Sequence, residues 1–256
     1  MDAFASGPFT GNQAAVMLLD EWPEDNLLTA IGDENNFAET AFLVPDRSAA
    51  ADFELRWFTP TVEIRLCGHA TLAAAHVLMA RDDSLDMVRF STRKAGILEV
   101  RRCETGCEVG MPAIPTEPGD WPEAVAALGA KPLEVWRNPD HYNLFLYDSE
   151  EVIRSIRPDF KALAALGIDS FAVTARSNDT DIVSRVFVPG CGVDEDSVTG
   201  SAHAVLTPFW ADRLGHNEFT AYQASRRGGF VNCRLEGDIA WLGGSCVTIM
   251  EAEFLL

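Results

Sequence analysis

Three short stretches hold residue types that could carry chemistry. The first is Asn35-Asn36-Phe37-Ala38-Glu39-Thr40-Ala41-Phe42-Leu43-Val44. Glu39 stands at the mouth of an expected strand with apolar residues on both sides. A carboxyl group drawn into apolar surroundings holds its proton more tightly, which suits a general acid/base working near neutral pH. A solvated or salt-bridged strand-end glutamate is the structural alternative. The second stretch is Leu66-Cys67-Gly68-His69-Ala70-Thr71. Gly68 lets a ligand approach the backbone. His69 opens a helix, where its ring could donate to a ligand or to Glu39; a capping or core histidine is the alternative. His76 lies two turns further on, too far to share a metal with His69, and reads as core. The third stretch is Asp194-Glu195-Asp196-Ser197-Val198-Thr199-Gly200-Ser201-Ala202-His203. Negative charge before a helix start is favoured by the helix dipole, so Thr199 or Ser201 as cap and Asp196 as dipole partner account for it structurally. The functional reading turns Asp196 toward a ligand and gives the Gly200 and Ser201 N–H groups to a substrate carboxylate.

Other chemistries lose support. The chain has no G-x-S-x-G, no G-x-G-x-x-G and no G-x-x-x-x-G-K-[ST], so a nucleophilic hydrolase, a dinucleotide enzyme and a P-loop nucleotidase are disfavoured. Ser201 and His203, two apart on a helix, do not face each other. The six cysteines form no C-x-x-C pair; they read as reduced thiols, and Cys103 with Cys107 lacks a second ligand pair for zinc. The 256 residues carry 20 Lys+Arg against 39 Asp+Glu, a formal net charge of −19. That balance argues against nucleic acid and anionic membranes, both of which need a basic face, and leaves room for a small anionic or zwitterionic substrate. No run approaches the length of a membrane span, and no secretory signal is visible, so a cytoplasmic protein is expected.

The elements that must position these residues come in two similar sets. Phe42-Leu43-Val44 recurs as Phe171-Ala172-Val173, and Arg56-Trp57-Phe58-Thr59-Pro60 as Arg185-Val186-Phe187-Val188-Pro189, both 129 positions on. Gly68-His69-Ala70 recurs as Gly200-Ser201-Ala202, 132 positions on. The common order points to an internal duplication, with one lobe over residues 1–115 and a second over 116–256, the last strand being free to return to the first lobe. Strands are expected at Glu39–Val44, Phe53–Phe58, Phe171–Thr174 and Ile182–Val188. Shorter ones follow at Met87–Ser91, Gly96–Arg101, Gly229–Leu235 and Ile239–Leu242. Helices are expected near His69–Ala80 and Ser201–Leu214, the second kinked or made irregular by Pro208. Further helices are expected at Trp22–Glu34, Trp121–Leu128 and Asp159–Leu166. Ala70, Leu72, Ala73, Ala74, Ala75, Val77 and Leu78 leave almost no polar face, so that helix must be buried. Its free N-terminal N–H groups then need a partner, and an anion would serve. The fold class is α+β.

Five segments in order resemble the phenazine-biosynthesis PhzF-like family. They are Asp2-Ala3-Phe4 with Pro8-Phe9-Thr10-Gly11-Asn12-Gln13-Ala14-Ala15-Val16, Phe37 to Phe42, Arg56 to Glu63, Leu66 to Thr71 and Asp196 to His203. The resemblance spans essentially the whole chain. It implies a diaminopimelate-epimerase-like fold: two pseudo-symmetric lobes, each an antiparallel β-barrel around a central helix, with the active site between them. It also implies a homodimer and a cofactor-free, metal-free isomerisation by proton shift, known in the family for a dihydro-hydroxyanthranilate. Carried over by motif, Glu39 is the general acid/base, His69 and Asp196 are catalytic partners, and Gly68, Gly200 and Ser201 bind substrate. Gln13 and Ser197 each replace a proline usual in the family, and the first strand is short. Cys67 resembles the first thiol of related cysteine-based epimerases, with Ser197 near the second. A Cys67/Ser197 racemase-type enzyme is therefore one rival reading, and a non-catalytic small-ligand-binding or interaction protein of the same fold is another.

Overall fold

The computed structural model describes residues 1–255. The fold is mixed α/β, with a large, mostly antiparallel sheet. The chain divides into two compact units. One comprises Met1–Met111 with the C-terminal stretch from Gly243, and the other comprises Pro112–Leu242.

The first unit begins with β1 (Asp2–Ala3), β2 (Asn12–Leu18), α1 (Asp25–Asn35), β3 (Glu39–Pro45), β4 (Phe53–Phe58) and β5 (Glu63–Ile64). It continues with α2 (Gly68–Arg81), β6 (Met87–Thr92), β7 (Ile97–Cys103) and β8 (Gly106–Pro112). β2 pairs parallel to β3, β3 antiparallel to β4, β4 antiparallel to β5 and parallel to β6, and β6 antiparallel to β7. Uniform antiparallel pairing, expected from the family resemblance, is thus broken at two places. In both a helix intervenes, α1 between β2 and β3 and α2 between β4 and β6, and a crossover of that kind returns the chain parallel. The all-apolar stretch of α2 is buried as expected: residues Gly68–Ala75, Leu78 and Met79 are inaccessible. The helix packs against β1, β2, β3 and β7. Phe42 and Phe58, in edge-to-face contact at 5.5 Å, form a second core with Leu28 and Ile31 of α1.

The second unit runs β9 (Glu117–Gly119), α3 (Pro122–Leu128), β10 (Glu134–Arg137), β11 (Tyr142–Leu146), α4 (Glu150–Ser155), α5 (Phe160–Ala164), β12 (Ser170–Arg176) and β13 (Ile182–Val188). Then come β14 (Val193–Asp196), α6 (Gly200–Leu214), β15 (Glu218–Gln223), β16 (Gly229–Glu236) and β17 (Ile239–Gly244). Here β11 pairs parallel to β12, β12 antiparallel to β13, β13 antiparallel to β14 and parallel to β15, and β15 antiparallel to β16. That is the succession of pairings found from β2 to β7. The last short strand, β18 (Cys246–Val247), pairs with β1 inside the first unit.

Two side-chain arrangements also occur in both units. Arg56 donates to both carboxylate oxygens of Glu63 at 2.8 and 2.9 Å, and its guanidinium lies 5.0 Å from the Phe58 ring. Arg185 donates to both oxygens of Glu195 at 2.7 and 3.0 Å and lies 4.9 Å from the Phe187 ring. Both arginines are buried. A forked ion pair with a stacked ring suits the planar guanidinium where water is excluded.

α6 departs from expectation. Pro208 forces no irregular turn: the helix is continuous from Gly200 to Leu214. A proline removes the N–H that the carbonyl four residues earlier would accept. That carbonyl, of Ala204, instead accepts the Ile114 N–H at 3.0 Å, so the group stays satisfied and the helix need not break. Among the described residues no helix is long and apolar enough to cross a membrane.

Candidate active site

In the first unit the sheet and α2 bring four polar side chains together. β2 and β3 run parallel with Ala14 opposite Glu39, so both strands start at one end of the sheet. Asn12, two residues before Ala14, shares its face because side chains alternate along a strand. Gly11 is what allows Asn12 to be there. Its φ is +68°, and a Cβ would lie 2.2 Å from the Ala3 carbonyl oxygen, so no other residue fits the turn. α2 supplies the rest. Cys67 is its N-cap residue in extended conformation and makes no side-chain cap hydrogen bond. Thr71 donates instead to the Cys67 carbonyl at 2.5 Å.

His69 is the hub. Its Nε2 lies 2.9 Å from Glu39 Oε2. That separation is at ion-pair distance but off the line of a hydrogen bond, and Glu39 Oε2 is buried without a hydrogen-bond partner. On the other side, Nδ1 is 3.2 Å from Asn12 Nδ2 and 3.5 Å from Cys67 Sγ. His69, Asn12 and Cys67 are buried, whereas the Glu39 side chain is 16% exposed and keeps one edge toward solvent. Burial alone would lower the pKa of His69. The Glu39 carboxylate, together with the Cys67 sulfur when that sulfur carries charge, outweighs it and raises the pKa well above the ordinary imidazole value. Burial, reinforced by the Glu39 charge, pushes the Cys67 thiol up. At neutral pH burial therefore favours the protonated thiol, and Glu39 is the acidic side chain set against the ring. Asn12 adapts to either state of the ring. Its Nδ2 donates to a bare Nδ1, and a half-turn of the amide presents Oδ1 to a protonated one.

In the second unit the start of α6 gathers Asp196, Thr199, Gly200, Ser201 and His203. Thr199 is the N-cap residue, again without a side-chain cap bond. Its hydroxyl donates to Asp196 Oδ2 at 2.6 Å, while Asp196 Oδ1 accepts the Ser197 N–H at 2.8 Å. Asp196 thus accepts hydrogen bonds from within its own loop. Gln223, fully buried on β15, accepts the Thr199 N–H at 2.9 Å and donates to the Asp196 carbonyl at 2.8 Å. His203 donates through Nδ1 to the Thr199 carbonyl at 2.8 Å, and its Nε2 is buried without a partner. Thr71 and His203 are thus alike, each the fourth residue of its helix and each bonded back to the N-cap carbonyl.

Sequence reasoning missed two of these residues as site members. Asn12 follows a glycine that only a tight turn explains, and that was its one signal. Gln223 carried none, because nothing local marks a glutamine that clamps a loop 24 residues away.

A strand-end carboxylate thus lies against a buried imidazole, on a mixed sheet with an all-apolar helix, and the relatives of this chain are isomerase-type enzymes. The chain belongs to the phenazine biosynthesis-like (PhzC-PhzF) protein family, whose sequence model it matches over residues 1–252. It is 46% identical over 258 residues to an uncharacterised isomerase of Pseudomonas aeruginosa, covering 100% of this chain and 97% of that protein. The crystal structure of a PhzC/PhzF protein from Clostridium difficile is 36% identical, with a TM-score of 0.90 and coverage of 100% and 97%. A PhzF-family structure from Enterococcus faecalis is 40% identical, with a TM-score of 0.87 and coverage of 95% and 93%.

Proposed function

We propose that the protein is a cofactor-independent isomerase or epimerase. It moves a proton between carbons of a small carboxylate-bearing substrate, dihydroaromatic or amino-acid-like, with Glu39 as general acid/base. One observation carries the reading: Glu39 Oε2 is buried, has no hydrogen-bond partner and lies 2.9 Å from the His69 ring. An acceptor held in that state is ready to take a proton from carbon and return it elsewhere. His69, charged at neutral pH, stabilises the negative charge that develops on the substrate oxygen as the proton leaves. The N–H groups near Gly68, where no side chain caps α2, bind an anionic group at the positive end of the helix dipole. The start of α6, taken by itself, offers the same kind of anion-holding element through Gly200 and Ser201, with Asp196 as a hydrogen-bonding group. The repeated strand pairings and the two Arg–Glu pairs support a duplicated ancestral unit.

Proton NMR in D2O with a panel of dihydroaromatic amino acids and chiral α-amino acids tests the reading. Deuterium is expected at carbon with the wild-type protein. Glu39→Gln is expected to slow its appearance by about 10²-fold or more while the fold is kept. A Glu39→Gln protein that exchanges at near wild-type rate refutes the assignment. The rival thiol mechanism has the 3.5 Å contact between Cys67 Sγ and His69 Nδ1 in its favour, but burial keeps that sulfur protonated. Cys67→Ala separates the two, sparing exchange in the first case and abolishing it in the second.

A further inference from the structure

Gln223 is fully buried at the end of β15, and every side-chain bond it makes goes to the loop from Asp196 to Thr199 that leads into α6. The backbone fixes which way its amide points. The Thr199 N–H can only donate and meets Oε1 at 2.9 Å, and the Asp196 carbonyl can only accept and meets Nε2 at 2.8 Å. Nε2 also lies 3.2 Å from the Thr199 hydroxyl oxygen. That oxygen accepts from the amide and directs its own proton to Asp196 Oδ2, 2.6 Å away. Amide, hydroxyl and carboxylate in series set one another's direction, and each bond polarises the next where water is excluded. Two more side chains hold the same loop. Ser225 donates its hydroxyl to the Ser197 carbonyl at 2.7 Å and accepts the Gly228 N–H at 3.1 Å. Arg185 on β13 forks the carboxylate of Glu195, the residue before the loop. Val198, between these anchors, is fully buried.

The first unit is built differently at the matching place. Gln223 lies opposite Ser184 in the parallel pair of β13 and β15, and Thr92 lies opposite Leu55 in the parallel pair of β4 and β6. Leu55 and Ser184 are 129 positions apart, the spacing that relates the two sets of elements, so Thr92 is the counterpart of Gln223. Its hydroxyl is spent inside its own turn, donating to the Gly96 carbonyl at 2.8 Å and accepting the Ala95 N–H at 2.9 Å. The clamp thus belongs to the unit that has Ile168 where the first has Glu39, 129 positions earlier.

We infer that Gln223, helped by Ser225, is a positioning residue that presets the start of α6 to receive the substrate carboxylate at the Gly200 and Ser201 N–H groups. The inference rests on the proposed function, in which those groups hold the anion. Donors already in place need no reorganisation when the anion arrives, whereas a loop free to move loses conformational entropy on binding. Gln223 has no titratable group, so it acts on affinity and leaves the proton transfer to the first unit.

Amide NMR of the full-length protein, with acetate exchanged for chloride at constant ionic strength, reads this without a substrate. In the wild type the Gly200 and Ser201 amide signals are expected to move saturably with acetate. Gln223→Met keeps most of the side-chain volume and removes all three bonds. Its acetate midpoint at those two amides is expected to rise about fivefold or more, while the response at Gly68, at the start of α2, stays as in the wild type. A role confined to packing would leave the α6 midpoint unchanged, and a general loosening would alter both helix starts. Ser225→Ala is expected to raise the α6 midpoint by about twofold, and Thr92→Ala to match the wild type at both starts. A wild-type midpoint in Gln223→Met, or an equal change at Gly68, overturns the inference and leaves the proposed function standing. Should Gln223→Met fail to fold, Ser225→Ala decides, and a wild-type midpoint there overturns the inference equally. Absence of any acetate response at Gly200 and Ser201 in the wild type overturns it together with the anion-holding role of α6, while the Glu39 assignment still stands or falls by deuterium exchange.

Discussion

Replacing His203 with asparagine is expected to flatten the acid side of the stability profile. Burial lowers the pKa of His203 from 6.5 to about 4, against the smaller opposing effect of its bond to the Thr199 carbonyl. The folded protein therefore holds the ring neutral while the unfolded chain protonates it. The stabilisation is complete above pH 6.5 and is lost as pH falls toward about 4. Between about pH 7.5 and about pH 5 the wild type should lose about 2 kcal/mol through this residue. Asparagine keeps an N–H near the position of Nδ1 and has no proton to gain in that range. Urea unfolding of both proteins at the two pH values, compared as a difference of differences, isolates the effect. His69, whose pKa is raised, contributes in the opposite sense: its stabilisation is complete below 6.5 and is lost as pH rises through the raised value. His76, whose pKa burial lowers, acts in the same sense as His203. Both cancel between wild type and variant. Glu63 and Glu150, held low by their partners, lose their contributions only below their ordinary value of 4.5. A difference between the two proteins under about 0.5 kcal/mol would show that His203 is not held neutral, and the reasoning from its burial would fail.

Arg185→Ala strips Glu195 of a forked partner and leaves the carbonyls of Ile153 and Ile156 without the donor they now have at 3.1 and 2.8 Å. A loss of about 3 kcal/mol in denaturant unfolding is expected, and a loss near zero would contradict it. Asn12→Ala removes the amide that meets His69 Nδ1; nitrogen NMR of the imidazole should show an altered tautomer or titration, and an unchanged ring would deny Asn12 its orienting role. Under native conditions a thiol reagent is expected to label the exposed Cys191 and the half-buried Cys103. Buried Cys67, Cys107 and Cys233 should label only on unfolding, the last two held at about 11 and about 12 by burial; mass spectrometry of the labelled peptides checks the order. Pro208→Ala restores an N–H that competes for the Ala204 carbonyl, so the Ile114 amide, its present donor, should lose protection in hydrogen exchange.

Much of the candidate site could be found without coordinates because its residues announce themselves locally. Glu39 stands where a β-type run begins, and the structure starts β3 at that residue. His69 follows the glycine that opens an all-apolar segment, and that segment is the buried helix α2. Strand positions such as Phe53–Phe58 and Ile182–Val188 follow from β-branched and aromatic content between breakers. Strand direction was harder. The parallel pairs in each unit depend on which helix returns the chain, and residue types do not state that.

Local pattern along the chain determined many of the helices and strands, though not β2, β8, β10, β11, β15 or α4, and it marked α2 as buried and the acidic and imidazole groups that stand at element ends. Burial and periodicity act over a few residues and leave their mark in residue types. Tertiary structure alone decided the partners. Asn12 meets His69 across 57 positions, Gln223 clamps Thr199 across 24, and Ile114 relieves the carbonyl that Pro208 orphans. Each is a polar group satisfied by whatever the fold brings near it once water is excluded. No local rule names that partner, because the requirement falls on the pair and arises only when the pair is buried together.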